Sequence, residues 1–284
     1  MDKFFENIKI KRLLMIYIGS VLILAVISEL QFLNLTNILN IDMVVLLCNL
    51  IIIIWILFKM VKSKINIKEK IADLRSDLKI SDVILSFLIN VGLTVGILAT
   101  VCYIAAHLCP SAMNSLLNEV NETEASTVYS TIVYTVSAAL VAPVAEEFMF
   151  RGIILNRLKI KFGVKKAVII SSILFGLIHS NLGILSAVVF GICMAVVYLK
   201  TKNIFVTVSI HCVNNLITCL GGIISLFTSS GSASQSSIIT INDISLIWLI
   251  GGIIAIIASI VMSYYFFKRN KAEIAVNMQL VKRK

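Results

Sequence analysis

Residues 128–152 read VYSTIVYTVSAALVAPVAEEFMFRG. The run up to Ala145 is apolar or weakly polar, and together with the residues after it the stretch is long enough to cross a hydrocarbon core of ~30 Å as a helix. Glu146, Glu147 and Arg151 then enter the same run. A charged group at the bilayer centre costs roughly 2.5–3.5 kcal/mol on insertion scales unless it is paired. On a helix Glu147 and Arg151 are i and i+4, on one face and able to pair. Glu146 is turned by about 100° from Glu147, so the two acids have different neighbours. One acid held by an arginine and a second left free is the division that general-base chemistry requires.

The rest of the chain supports a membrane setting. It has 284 residues, of which 59% are hydrophobic and only 14% charged, against about a quarter charged in soluble proteins. Mean hydropathy is +1.00. Eight apolar stretches, at about 13–33, 43–61, 83–108, 128–150, 166–180, 182–199, 203–220 and 245–267, read as spans. The fold class expected is all-α: a polytopic membrane helix bundle of about eight transmembrane helices. Residues 1–284 read as a single membrane-embedded domain, and the first span reads as a retained anchor.

The net charge of +10 does not point to nucleic acid, because of where the charge lies. All 25 Lys and Arg residues fall into five clusters: Lys3 to Arg12, Lys59 to Lys79, Arg151 to Lys166, Lys200 with Lys202, and Lys268 to Lys284. The alternate connections, around 34–42, 109–126, 180–182 and 220–243, carry none. This is the positive-inside pattern, and it predicts cytoplasmic N- and C-termini with an even number of spans. Ile67, Ile71, Leu74 and Leu78 recur at helical spacing among lysines, predicting an amphipathic helix that lies on the leaflet or packs on the bundle. The stretches 109–126 and 221–242 read as outer loops, the second rich in Gly and Ser. The six cysteines form no CxxC pair and read as small buried hydrophobes.

Two further motifs carry chemistry. His179 closes the fifth stretch, one turn after Phe175. His211 and Asn215 are i and i+4 in the seventh, two polar side chains on one face in mid-span. Asn214 points to another face, and His107 reads as interfacial. A peptide bond can be hydrolysed in a membrane if a glutamate activates water and histidine or asparagine donors stabilise the oxyanion. Glutamate and histidines can also ligate a metal that generates hydroxide. There is no HExxH, no GxSxG and no pair of intramembrane aspartates.

The three motifs E146-E147-F-M-F-R151, F175-G-L-I-H179 and H211-C-V-N-N215 resemble those of the CAAX-protease and bacteriocin-processing (CPBP, or Abi) family of intramembrane proteases, with the core at about 128–220. The resemblance implies an endopeptidase acting on a peptide or membrane-protein substrate. Glu146 activates water with help from His179, His211 and Asn215 stabilise the oxyanion, and Glu147 and Arg151 order the site. It leaves two cofactor readings open: a divalent metal such as zinc on Glu146, His179 and His211, or a metal-free glutamate. Eukaryotic relatives trim prenylated CAAX proteins, whereas bacterial members process peptides or confer bacteriocin immunity. The short loops read as bacterial, hence a multi-pass protein of a bacterial plasma membrane whose partners are lipid and substrate, not nucleic acid. The alternative is a non-catalytic protein of the same fold that confers immunity or regulates a partner.

These expectations carry one tension. If the fourth span ends near residue 150, Glu146 lies at the cytoplasmic surface. His179, 13 residues beyond Lys166, then lies about 20 Å deeper at 1.5 Å per residue. A cavity open to the cytoplasm, reached by a tilt or a bend at Pro143, is expected to reconcile them.

Overall fold

A computed structural model describes residues 1–31, 41–121, 128–179, 183–228 and 240–282. The helices are α1 (Asp2–Asn7), α2 (Ile10–Gln31), α3 (Ile41–Lys62), α4 (Ile67–Ala72), α5 (Leu74–Asp77), α6 (Ile80–Leu108), α7 (Pro110–Asn121), α8 (Val128–Val136), α9 (Ala142–Glu147), α10 (Leu155–Gly176), α11 (Ile184–Thr201), α12 (Ile204–Thr228) and α13 (Leu246–Lys282). Two π-helical stretches, Ser137–Val141 and Phe148–Ile154, join α8, α9 and α10 into one helical path. No strand occurs among the described residues. Five helical runs are long and apolar enough to cross a membrane, and Ile204–Leu220 is a shorter apolar one. Side chains such as Ile54, Phe58, Ile247 and Ile254 face outward, as the lipid-facing surface of a spanning helix must. The chain is a polytopic helical membrane bundle, and the described residues of each of the eight apolar stretches fall mainly on a helix.

The fourth span does not stop near residue 150. The helical path from Val128 continues through Arg151 and Asn156, both buried, and turns only at Gly163. There φ is +75° and ψ 168°, a backbone conformation essentially reserved for glycine. The next helical segment, 164–176, begins at once. Glu146 and His179 therefore lie at almost equal distances along the chain on either side of the turn, and the expected depth mismatch disappears. Arg151 and Asn156 look like the surface end of a span in sequence, but they are polar groups partnered inside the bundle.

The five basic clusters gather at one end of the bundle. Lys159 and Lys202 both reach Asp2, at 3.4 and 3.3 Å. The hydroxyl of Tyr198 donates to Asp2 (2.7 Å). Lys200 is buried against Asp82 (2.6 Å) and Asn270 (2.9 Å), with Arg269 also on Asp82. Helix α1 closes this end: Phe5 is fully buried, and its ring lies where a Cβ on Gly152 would approach within 2.8 Å. An alanine there would clash with the ring, so the helical path that carries Glu146 meets α1 backbone to aromatic.

The amphipathic stretch divides into α4 and α5. Ile67, Leu74 and Leu78 pack on the core while Ile71 stays exposed. Asn203 Nδ2 donates to the Lys70 carbonyl (2.8 Å) and to Asp77 (3.0 Å), so the segment is docked on the bundle. The stretch expected as a loop at 109–126 instead holds α7. Pro110 suits the first helical position, and Met113 and Leu117, i and i+4, pack against Ala106 and Ile244. Of the stretch 221–242 expected as a loop, the part up to Thr228 continues α12 instead, and residues 229–239 lie outside the described residues. The six cysteines are unpaired, three of them buried.

Candidate active site

Glu147 is fully buried and Arg151 nearly so. Arg151 Nη1 lies 2.8 Å from Glu147 Oε1, the pair expected from the i, i+4 spacing. The contact is one of charge rather than an aligned hydrogen bond, since Arg151 Nη1 and Glu147 Oε2 both lack a hydrogen-bond partner. Arg151 Nη2 donates to the Gly191 carbonyl (3.3 Å), and its guanidinium sits 4.3 Å above the Phe175 ring, a cation–π contact strengthened by the dry surroundings.

His211 Nδ1 lies 3.0 Å from Glu147 Oε1. A carboxylate only accepts, so Nδ1 carries the proton and Nε2 is the working nitrogen. His179 has the same arrangement: Nδ1 donates to the Phe175 carbonyl (2.9 Å), again leaving Nε2. The Phe175 ring links these groups, with centroids 4.7 Å from His179 and 5.8 Å from His211. Phe190 supports His211 from 5.0 Å.

Glu146 is the looser acid, its side chain 16% exposed against 0% for Glu147. Its Oε2 lies 3.8 Å from His211 Nε2, beyond hydrogen-bond length. The two glutamates thus separate as their helical angle predicts, one locked and one without an aligned partner.

A cavity of about 220 Å³ is lined by His179, His211 and Asn215 with Phe175 and Phe190. Glu146 is not among its lining residues, but its Oε2 lies 3.8 Å from Nε2 of His211, which is. Tyr134, Thr94, Gly183 and Thr218 also line it, and they come from the half of the bundle away from the basic clusters. Among the described residues, the cavity that holds these side chains is thus lined from the half away from the basic clusters, not from the basic end as expected.

Asn215 and its neighbours form a chain that the motif alone does not reveal. Asn215 Nδ2 donates to the carbonyl of Ala138 (2.8 Å), within the first π-helical stretch. Asn214 Nδ2 donates to Asn215 Oδ1 (3.0 Å), and Asn90 Nδ2 on α6 donates to Asn214 Oδ1 (3.2 Å). Asn214 is buried and belongs to the site, contrary to the expectation that it points elsewhere. Asn156 holds the second π-helical stretch, donating to the carbonyls of Arg151 (3.1 Å) and Gly152 (2.8 Å). π-Helical turns concentrate at functional sites because they re-aim side chains, and here they flank the turn that carries both glutamates. A lone polar residue in an apolar run is the signal that would have found Asn90, whereas Asn156 stands among basic residues and carries no such signal.

Among the described residues no three of His, Cys, Asp and Glu stand close enough together to hold a metal ion. The trio Glu146, His179 and His211 does not form such a group in this arrangement. His107 is exposed and bonded to its own helix at Tyr103 (2.9 Å), away from the site.

Residues 128–217 match the family model described as Type II CAAX prenyl endopeptidase Rce1-like. The chain is also 35% identical over 79 residues to a Bacillus subtilis (strain 168) protein named "Putative membrane peptidase YdiL". That alignment covers 28% of this chain and 32% of the relative, so the chain matches about a third of the relative's length. No solved structure matches. All three motifs lie inside the matched segment, so the similarity to the Rce1-like family rests on residues 128–217.

Proposed function

We propose that this protein is an intramembrane endopeptidase that hydrolyses a peptide bond with Glu146 as the water-activating base. The observation that carries the reading is the unequal treatment of the two adjacent acids. Glu147 is fixed by Arg151 and His211, whereas Glu146 has one ion-pair contact, at 3.8 Å. A carboxylate without an aligned partner is available to take a proton, and catalytic contacts in a substrate-free site are often long and tighten on binding.

In this reading Glu146 takes the proton of the attacking water as its oxygen adds to the scissile carbonyl. His211 and the remaining N–H of Asn215 stabilise the oxyanion. His179 Nε2 assists proton movement to the leaving amine, and Arg151 keeps Glu147 in place. The substrate is a peptide or membrane protein that enters the polar-lined cavity. Its identity as a prenylated chain, and residence in a bacterial plasma membrane, belong to the family analogy alone.

The test compares membrane and secreted peptides of cells carrying the wild type and Glu146→Gln. The proteolytic reading expects cleavage products that vanish in the variant. Identical peptides, with the cellular phenotype intact, would instead support the non-catalytic immunity or regulatory protein.

A further inference from the structure

A second cavity, of about 380 Å³, lies at the basic end between α1, α2, α3 and the connection after α3. Its wall carries Lys3, Arg12 and Lys59, and Phe4, Ile8 and Trp55 complete it. A smaller hollow shares Arg12, Lys59 and Trp55 and continues along Met15 and Ile16. Met15 is 72% exposed, so this extension runs out onto the apolar flank of the bundle.

The charge around the cavity is one-sided. The two acids of α1 are turned the other way, Asp2 to Lys159 and Lys202 and Glu6 to Lys159. Lys3 is left on the cavity side. Among the described residues no acidic group pairs with Lys3, Arg12 or Lys59, in contrast to Lys200, which is buried against Asp82. Three unneutralised cations beside an indole, opening along an aliphatic crease, have the chemistry of an amphiphile with an anionic head. Arg12 offers a fork for phosphate oxygens, the lysines offer point charges, and a tryptophan suits the membrane interface. Basic pockets between spanning helices at the basic side of a membrane recognise such heads.

We propose that this cavity is a binding site for an anionic phospholipid. The phosphate sits among Lys3, Arg12 and Lys59, and an acyl chain lies along Trp55, Met15 and Ile16. The site is separate from the peptidase reading and stands or falls without it.

Trp55 and Trp248 are the two tryptophans of the chain, so Trp248→Phe leaves Trp55 as a reporter inside the site. The full chain carrying this change is placed in phosphatidylcholine vesicles with a minority of lipid brominated on its acyl chains. Brominated phosphatidylglycerol should quench Trp55 with a relative association constant on the order of tenfold above brominated phosphatidylcholine, since each basic group near an anionic surface is worth several-fold. Adding Lys3→Gln, Arg12→Gln and Lys59→Gln together should bring the ratio close to one. Lys165→Gln with Lys166→Gln, exposed at another basic connection, should leave it unchanged.

Equal quenching by both lipids overturns the proposal. So does an equal loss in the Lys165/Lys166 pair, which would mean diffuse surface attraction. Displacement by dissolved glycerol phosphate would reassign the site to a free phosphate and overturn the lipid. If thermal unfolding shows the triple variant to be damaged, Arg12→Gln alone carries the comparison, because that side chain is exposed.

Discussion

Two polar clusters among the described residues of this bundle are built differently. At the basic end, Asp82 receives Lys200 and Arg269, and Lys200 also reaches Asn270, whose own Nδ2 donates to the Phe266 carbonyl. Asp2 likewise receives Tyr198, Lys159 and Lys202. In the segment that resembles the Rce1-like family, Glu147 Oε2 and Arg151 Nη1 lack hydrogen-bond partners, Glu146 has no aligned one, and two imidazoles keep Nε2 for other use. A network whose members are mutually satisfied rigidifies a structure, whereas unsatisfied buried polar atoms in a native fold call for a functional explanation. The first cluster latches helices together. The second is poised to act.

The largest effect that would sharpen this contrast is on rate. Glu146→Gln should reduce cleavage of an identified substrate by about 100-fold or more, the range associated with a general base, while thermal unfolding in detergent stays near that of the wild type. Comparable cleavage by the variant would move the base elsewhere.

Glu147→Gln should act on stability as well. It leaves a buried Arg151 uncompensated, a change that costs on the order of 3–5 kcal/mol when one partner of a buried pair is removed. A variant as stable as the wild type would break the distinction between the locked and the loose acid. Lys200→Met tests the opposite cluster. It should lower the unfolding temperature by leaving the buried Asp82 with Arg269 alone, with little change in activity per folded molecule.

Smaller effects test the supports. Asn90→Ala removes the outer end of the asparagine chain and should lower kcat by roughly fivefold, the equivalent of one neutral hydrogen bond at about 1 kcal/mol, with the KM little changed. A loss confined to KM would assign Asn90 to substrate contact instead of positioning.

At the basic end, burial works against the Asp2 carboxylate, but Lys202, Lys159 and the Tyr198 hydroxyl outweigh it and hold the group below its ordinary value of 3.8. A lowered folded-state value stabilises the fold above the ordinary value and loses that contribution as the pH falls through the lowered one. Asp2→Asn should therefore reduce thermal stability at neutral pH, and the gap to the wild type should close as the medium is acidified below about 4. A gap that persists in strong acid would mean that the contact acts by shape alone.

Much of the molecule could be read along the chain. Hydrophobic length located the spans and the alternation of lysine-rich connections predicted that the basic clusters share one end, because both depend on local transfer energies. The pairing of Glu147 with Arg151, and its separation from Glu146, came from helical geometry. Where a helix ended was harder. Asn156 and Arg151 mimic a surface boundary, and only their partners inside the bundle show that the helix runs on to Gly163. Helix α7 was hidden for a related reason, since its apolar face is just Met113 and Leu117 meeting residues far along the chain.

The amino-acid sequence by itself determined that this is a membrane bundle bearing three polar motifs, since the cost of placing charge in hydrocarbon is paid residue by residue. Tertiary structure decided which motif residues meet and from which half of the bundle their cavity is lined. It also brought Asn90 to Asn214 across 124 positions and left Lys3, Arg12 and Lys59 facing one cavity. Those outcomes depend on the partners that distant helices supply, and no local pattern records them.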